Sequence, residues 1–100
     1  MNPTYPGGVW PVMLTPFTEE NKVDEAALEK LVDWYIDRGV DGLFAVCQSS
    51  EMFFLSFDER VHITELVVKF AAGRVPVISS GQVSEDLSEQ VREVEAIWKA

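Results

Sequence analysis

Three short apolar runs recur at a fixed interval, and that interval constrains the fold more than any other feature of the chain. Val9-Trp10-Pro11-Val12-Met13-Leu14, Gly42-Leu43-Phe44-Ala45-Val46-Cys47 and Val75-Pro76-Val77-Ile78-Ser79 start 33 residues apart each time. A constant period of this length marks the repetition of one supersecondary unit. The runs are almost continuously apolar rather than alternating, which predicts strands buried on both faces and hence parallel. Pro11 has no N–H to offer a ladder, so it weakens the first run as a central strand.

Each run is followed by a helical pattern. Leu28, Leu31, Val32 and Tyr35 fall on one face of a helix predicted over 24–38. Asp24 is a good N-cap there, Val23 and Leu28 have the spacing of a hydrophobic staple, and Gly39 is placed to end the helix in a left-handed cap. Ser56-Phe57-Asp58-Glu59 is a capping box that opens a second helix with a stripe of Ile63, Leu66, Val67 and Phe70, closed by Gly73. A third follows Ser84, with Glu85 and Asp86 at the positive end of its dipole. Its shared face is Leu87, Val91, Val94 and Trp98.

The order β-α-β-α-β-α fits a doubly wound open sheet or a (β/α)8 TIM barrel. Eight units of this period amount to about 264 residues, near the ~250 typical of a barrel. Three parallel strands alone leave two open edges and little cover for either face. The expectation is an α/β fold in which residues 1–100 supply the first three βα units, the N-terminal part of a single incomplete barrel domain. A complete, smaller α/β sandwich is the alternative.

Composition narrows the function. Eight Lys+Arg against seventeen Asp+Glu give a net charge of −9 in 100 residues, which argues against nucleic acid and against an anionic membrane surface as partners. One cysteine, Cys47, excludes an internal disulfide framework and makes the cytoplasm the expected compartment. No run reaches the ~18–20 apolar residues of a membrane helix, and the start lacks the pattern of a signal peptide.

Parallel α/β folds bind ligands at the carboxyl ends of their strands. Those ends here read Thr15-Pro16-Phe17, Cys47-Gln48-Ser49-Ser50-Glu51 and Ser79-Ser80-Gly81-Gln82. Hydroxyls and amides thus gather at one end of all three strands, describing a polar pocket for an oxygen-rich, anionic small molecule. The plainer reading is that Ser and Thr serve in such loops as caps and turn formers.

Gly8-Val9-Trp10-Pro11 leading into Leu14-Thr15-Pro16-Phe17, then Val23-Asp24, Gly39-Val40-Asp41-Gly42-Leu43, Glu51, Leu55, Glu59-Arg60 and Arg74-Val75-Pro76-Val77-Ile78 resemble the start of the dihydrodipicolinate synthase / N-acetylneuraminate lyase family. The resemblance runs over nearly the whole chain from Gly8. It implies a (β/α)8 lyase of class I aldolase type, in which a lysine forms a Schiff base with pyruvate or a related 2-oxo acid and a tyrosine relays protons. It implies no metal or organic cofactor and a homo-oligomer, tetramer or dimer. The family's Gly-Thr-Thr-Gly-Glu motif, which holds the carboxylate of the 2-oxo acid, falls on Cys47, Gln48, Ser49, Ser50 and Glu51. Only Glu51 is identical. Ser49 keeps the second hydroxyl, Gln48 puts an amide in place of the first, and Cys47 and Ser50 stand at the glycine positions. A Cβ disfavours φ > 0, which predicts a reshaped turn. Thr15, Gln48, Ser49 and Ser50 are the substrate-binding residues this reading selects.

The resemblance puts the catalytic lysine and tyrosine beyond Ala100. A Schiff-base lysine must be partly desolvated, whereas Lys30, Lys69 and Lys99 belong to amphipathic helices and Lys22 to a polar loop. Tyr5 precedes the first strand and Tyr35 lies on an apolar stripe, so both read as structural. Cys47 as a nucleophile would need a base, and the only histidine, His62, is inside a helix. One Cys, one His and scattered carboxylates make no metal cluster. Glu51 reads either as a general acid or base or, preferably, as a tether that accepts N–H bonds in its loop. Met52-Phe53-Phe54-Leu55 lines a pocket, meets another subunit or packs within the barrel. The carboxylates of the third helix (Glu85, Asp86, Glu89, Glu93, Glu95) read as a solvated face. The competing function is a non-catalytic small-acid-binding or regulatory barrel that has lost the Gly-Thr-Thr-Gly motif.

Overall fold

The computed structural model describes residues 7–81 and 83–100. Helix α1 spans Glu25–Asp37, strand β1 Leu43–Phe44, helix α2 Phe57–Ala71, strand β2 Val77–Ile78 and helix α3 Leu87–Lys99. Two short 3-10 turns, Gln48–Ser50 and Met52–Phe54, connect β1 to α2.

β1 and β2 pair in parallel, Leu43 with Val77 and Phe44 with Ile78. The first apolar run lies on the other side of β1, also parallel, through a bridge between Val12 and Phe44. Phe44 N–H donates to Pro11 O and Met13 N–H to Phe44 O, both at 3.0 Å. Pairing here is one bridge rather than a strand, and Pro11, with no N–H of its own, interrupts the ladder as its chemistry requires. Gly42 lets the first run close on β1: a Cβ there would meet the Trp10 ring at 2.4 Å.

The predicted caps are in place. The Asp24 side chain accepts from Ala27 N–H, and Gly39 follows α1 at φ +84. At α2 both halves of the capping box form: Glu59 N–H donates to Ser56 Oγ at 3.1 Å and Ser56 N–H to Glu59 Oε1 at 2.8 Å. The residue that ends α2 is Ala72, left-handed at φ 51, with Gly73 following at φ +75, so the predicted glycine stop is shared by two residues. α3 starts two residues later than the acidic pair suggested, with Asp86 as its N-cap.

The core joins Met13, Leu43, Ala45 and Val46 from the strands to Leu28 and Val32 of α1 and Ile63, Leu66, Val67 and Ala71 of α2. Helices thus cover one face of the strands. Coverage on both faces, expected from the continuous apolar runs, is not observed among the described residues. Along the first run Met13 and Thr15 are buried, while Val12 and Leu14 are 42% and 62% exposed. Ile78 of β2 is exposed as well. The two strands and the bridged first run, with helices on one side, make two layers, and the described residues measure 45 × 37 × 20 Å.

α3 corrects one expectation. Leu87, Val91, Val94 and Trp98, which share one face of the helix, are all exposed. The residue it buries is Glu93, only 3% exposed, which had read as part of a solvated acidic face. A tertiary partner explains the reversal. Glu93 forms an ion pair with Arg60 of α2 at 2.5 Å and accepts Ser84 N–H at 3.1 Å. Arg60 also donates to Leu55 O at 3.1 Å, so the pair ties α3 to the start of α2. Burial on its own would raise the Glu93 carboxyl. Hydrogen bonds from Ser84 and Val83 and the Arg60 charge outweigh it and hold the group below the ordinary carboxylate range.

Candidate functional site

The carboxyl ends of the first run and of β1 come together through the turn that follows β1, and Ser80 N–H after β2 donates to Val46 O just ahead of that turn. Cys47 is extended (φ −150, ψ −170), Gln48–Ser50 form a 3-10 turn and Glu51 is left-handed (φ 64, ψ 36). Ser50 N–H and Met52 N–H both donate to Cys47 O, at 3.1 and 3.2 Å, and Glu51 N–H donates to Gln48 O at 2.9 Å. The conformational cost expected at Cys47 and Ser50 is not incurred, because neither has a positive φ. The left-handed position of the turn is Glu51, the residue this sequence shares with the Gly-Thr-Thr-Gly-Glu pattern.

The four predicted ligands occupy two levels. Ser50 is fully buried, and Thr15 nearly so. Ser50 Oγ donates to Met13 O, lies 3.1 Å from Ala45 O and is 3.5 Å from Cys47 Sγ. Thr15 Oγ1 donates to Ser50 O at 2.7 Å. Gln48 and Ser49, by contrast, are exposed at the rim. Neither their side chains nor their N–H groups are bonded to another described residue. Their donors are therefore available to a ligand, while the hydroxyls of Thr15 and Ser50 are engaged beneath them.

The neighbouring loops frame this rim. Phe17 and Val23 form an antiparallel bridge that closes the loop after the first run. Thr18 Oγ1 accepts Glu20 N–H and Lys22 N–H inside that loop, and Asn21 is left-handed at φ 63. Phe17, Asn21, Glu51 and Phe54 line a shallow cleft of ≈ 330 Å³. The Glu51 carboxylate accepts no hydrogen bond from a described residue, so the predicted side-chain tether is absent. Its backbone does that work instead, through the bond to Gln48 O and by accepting Phe54 N–H at 2.9 Å. Of the apolar run that follows, Met52 and Leu55 are buried and Phe53 and Phe54 are exposed.

The other candidates separate from the rim. Lys30 and Lys69 are exposed on α1 and α2, Lys99 on α3 and Lys22 in the first loop. Tyr35 packs half-buried against the core, and Tyr5 lies outside the described residues, as does Gln82. His62 is exposed on α2 with Nε2 3.1 Å from Glu25 Oε2. Cys47 is buried, and its polar neighbour is a hydroxyl rather than a base. Among the described residues no group of three or more His, Cys, Asp or Glu side chains is placed to hold a metal ion. No helix among them is long and apolar enough to cross a membrane.

Residues 5–94 match the Dihydrodipicolinate synthetase family. The chain belongs to this family. It is 40% identical over 87 residues to a 4-hydroxy-tetrahydrodipicolinate synthase of Shewanella baltica, covering 87% of this chain and 29% of that one. Its backbone superposes on dihydrodipicolinate synthase from Bacillus anthracis with a TM-score of 0.87 at 26% identity, over 96% of this chain and 33% of the other. It superposes on the pyruvate-complexed dihydrodipicolinate synthase of Acinetobacter baumannii with a TM-score of 0.86 at 27% identity, over 92% and 31%. For N-acetylneuraminate lyase from Mycoplasma synoviae the values are 0.81 and 29%, over 92% and 31%. The chain thus spans about a third or less of the length of these relatives.

Proposed function

We propose that this chain is the N-terminal part of a single (β/α)8 barrel domain, contributing its first three βα units. The complete protein is a class I aldolase-type lyase that makes or breaks a carbon–carbon bond next to a 2-oxo acid. In this reading a lysine outside these 100 residues attacks the C2 carbonyl of pyruvate or a close relative. Loss of water gives an imine, which stabilises a carbanion at C3 as it adds to, or departs from, an aldehyde. A tyrosine, also outside these residues, relays the protons.

The residues of this chain bind and orient. Gln48 and Ser49 donate to the carboxylate of the acid, fixing C2 for attack, while Thr15 and Ser50 hold their turn from below. The carboxylate is charged before the reaction as well as during it, so donors to it act on binding and on the orientation of C2. The observation that carries the proposal is the pair of unengaged donor residues at the carboxyl end of a parallel strand, in a family with pyruvate-complexed members. The same family membership supports a cytoplasmic homo-oligomer, dimer or tetramer.

Borohydride reduction of the complete protein in the presence of pyruvate tests this reading. The expected result is one covalent adduct per chain, on a lysine outside residues 1–100, with the mass of a reduced pyruvyl group. An unmodified protein, with pyruvate and with other 2-oxo acids, would exclude imine chemistry and leave the small-acid-binding barrel.

A further inference from the structure

Ser50 stands where the family pattern has glycine, and its hydroxyl is completely buried. We infer that Ser50 is a positioning residue, whose hydroxyl locks the Gln48–Ser49 turn onto the ends of two strands and so fixes the carboxylate donors. The inference rests on the proposed reading of that turn as the acid-binding element.

The ladder between the first run and β1 uses Pro11 O, then Phe44 O. The next carbonyl in line, Met13 O, accepts the Ser50 hydroxyl instead. The two segments part at this point, and a side chain from the turn fills the gap between them. The same Oγ lies against Ala45 O of the second segment, so one hydroxyl reaches both strand ends. A hydroxyl carries one proton but also accepts, and the Cys47 S–H is placed to donate to it at 3.5 Å. From the other side Thr15 Oγ1 donates to Ser50 O. Side chain and carbonyl of one residue are therefore both held by the strand ends, and its own N–H is bonded to Cys47 O. A glycine at this position would leave Met13 O without that donor. Burying a polar group without a partner is costly, so the whole turn is coupled to Ser50.

The test uses the complete protein with Ser50→Ala, Ser50→Gly and Thr15→Val. The pyruvate concentration giving half-maximal borohydride trapping is measured together with the trapping rate at saturation. Loss of one buried hydrogen bond predicts a rise of about 5- to 10-fold in the half-saturating concentration, with the saturated rate little changed. Thr15→Val shifts it in the same direction, and the Ser50→Ala/Thr15→Val double variant shows less than the product of the single effects, because both act on one turn. Amide exchange of Ser50, Glu51 and Met52 without pyruvate is the second measurement, and it should quicken in Ser50→Ala at an unchanged rate in α2. Unchanged half-saturation together with unchanged exchange would overturn the positioning role. If the wild-type protein traps no 2-oxo acid, the lyase reading fails, and amide exchange alone decides whether Ser50 holds the turn.

Discussion

At the scale of single residues, the two most informative side chains are ones that a polarity scale places on the surface. Ser50 and Glu93 are both buried, and each is satisfied by partners distant in sequence: Met13 for Ser50, Arg60 for Glu93. Removing Glu93 leaves the Arg60 guanidinium in a largely desolvated position, with Ser84 N–H unpaired as well. Glu93→Ala is therefore expected to cost about 3–5 kcal/mol, read from urea denaturation near neutral pH. The pH dependence has a definite sign. The carboxyl is held below its ordinary value of 4.5, so its stabilising contribution is complete above that pH. The contribution is lost as pH falls through the lower value of the folded state. The wild-type midpoint should thus decline more steeply below about pH 4.5 than that of Glu93→Ala. Parallel pH profiles would show that the carboxyl does not stabilise the fold in its ionised form.

At the scale of elements, the local signals and the tertiary ones divide cleanly. Asp24, Ser56 and Glu59 were legible as caps because a cap is satisfied within three residues of itself. The stripes of α1 and α2 were legible because each has a partner in the same 100 residues: Leu28 and Val32 share one core with Ile63 and Val67. α3 shows what periodicity leaves open. The spacing of its apolar residues correctly identifies an apolar face but says nothing about what that face packs against. The side that meets α2 instead carries Glu93, with half-buried Gln90, Ala96 and Ile97 beside it. The only sequence signal for this was the presence of Arg60 one helix earlier, and a matched charge pair 33 residues apart is not recognisable without the fold. The exposed stripe has a measurable consequence. Leu87, Val91, Val94 and Trp98 form an apolar surface of the kind that drives association. The isolated 100-residue chain should self-associate in size-exclusion chromatography with light scattering, and Val91→Lys with Trp98→Lys should reduce this. A monodisperse monomer before substitution would mean that the stripe is not sticky.

In the whole molecule, the continuous apolarity of the three runs predicts parallel strands, and the pairing is parallel: first run, β1 and β2 lie side by side in chain order, although helices cover only one of their faces. What the repeat did not convey was how short the ladders are. Pro11 and Pro76 each remove a donor where a strand would otherwise lengthen. Nor did it reveal which hydroxyls are spent on holding the turn after β1, since that depends on where two strand ends diverge. The uncovered face with Val12, Leu14 and Ile78 fits a sheet that curls on itself, because closure would bury these side chains inside a ring of strands. A crystal structure of the complete protein reacted with pyruvate tests the closure of the sheet and the acid site together. Parallel strands closing into a barrel are expected, with the acid joined to a lysine and its carboxylate within hydrogen-bond distance of Gln48 and Ser49. An open sheet, or an acid bound away from the Gln48–Ser49 turn, would contradict this.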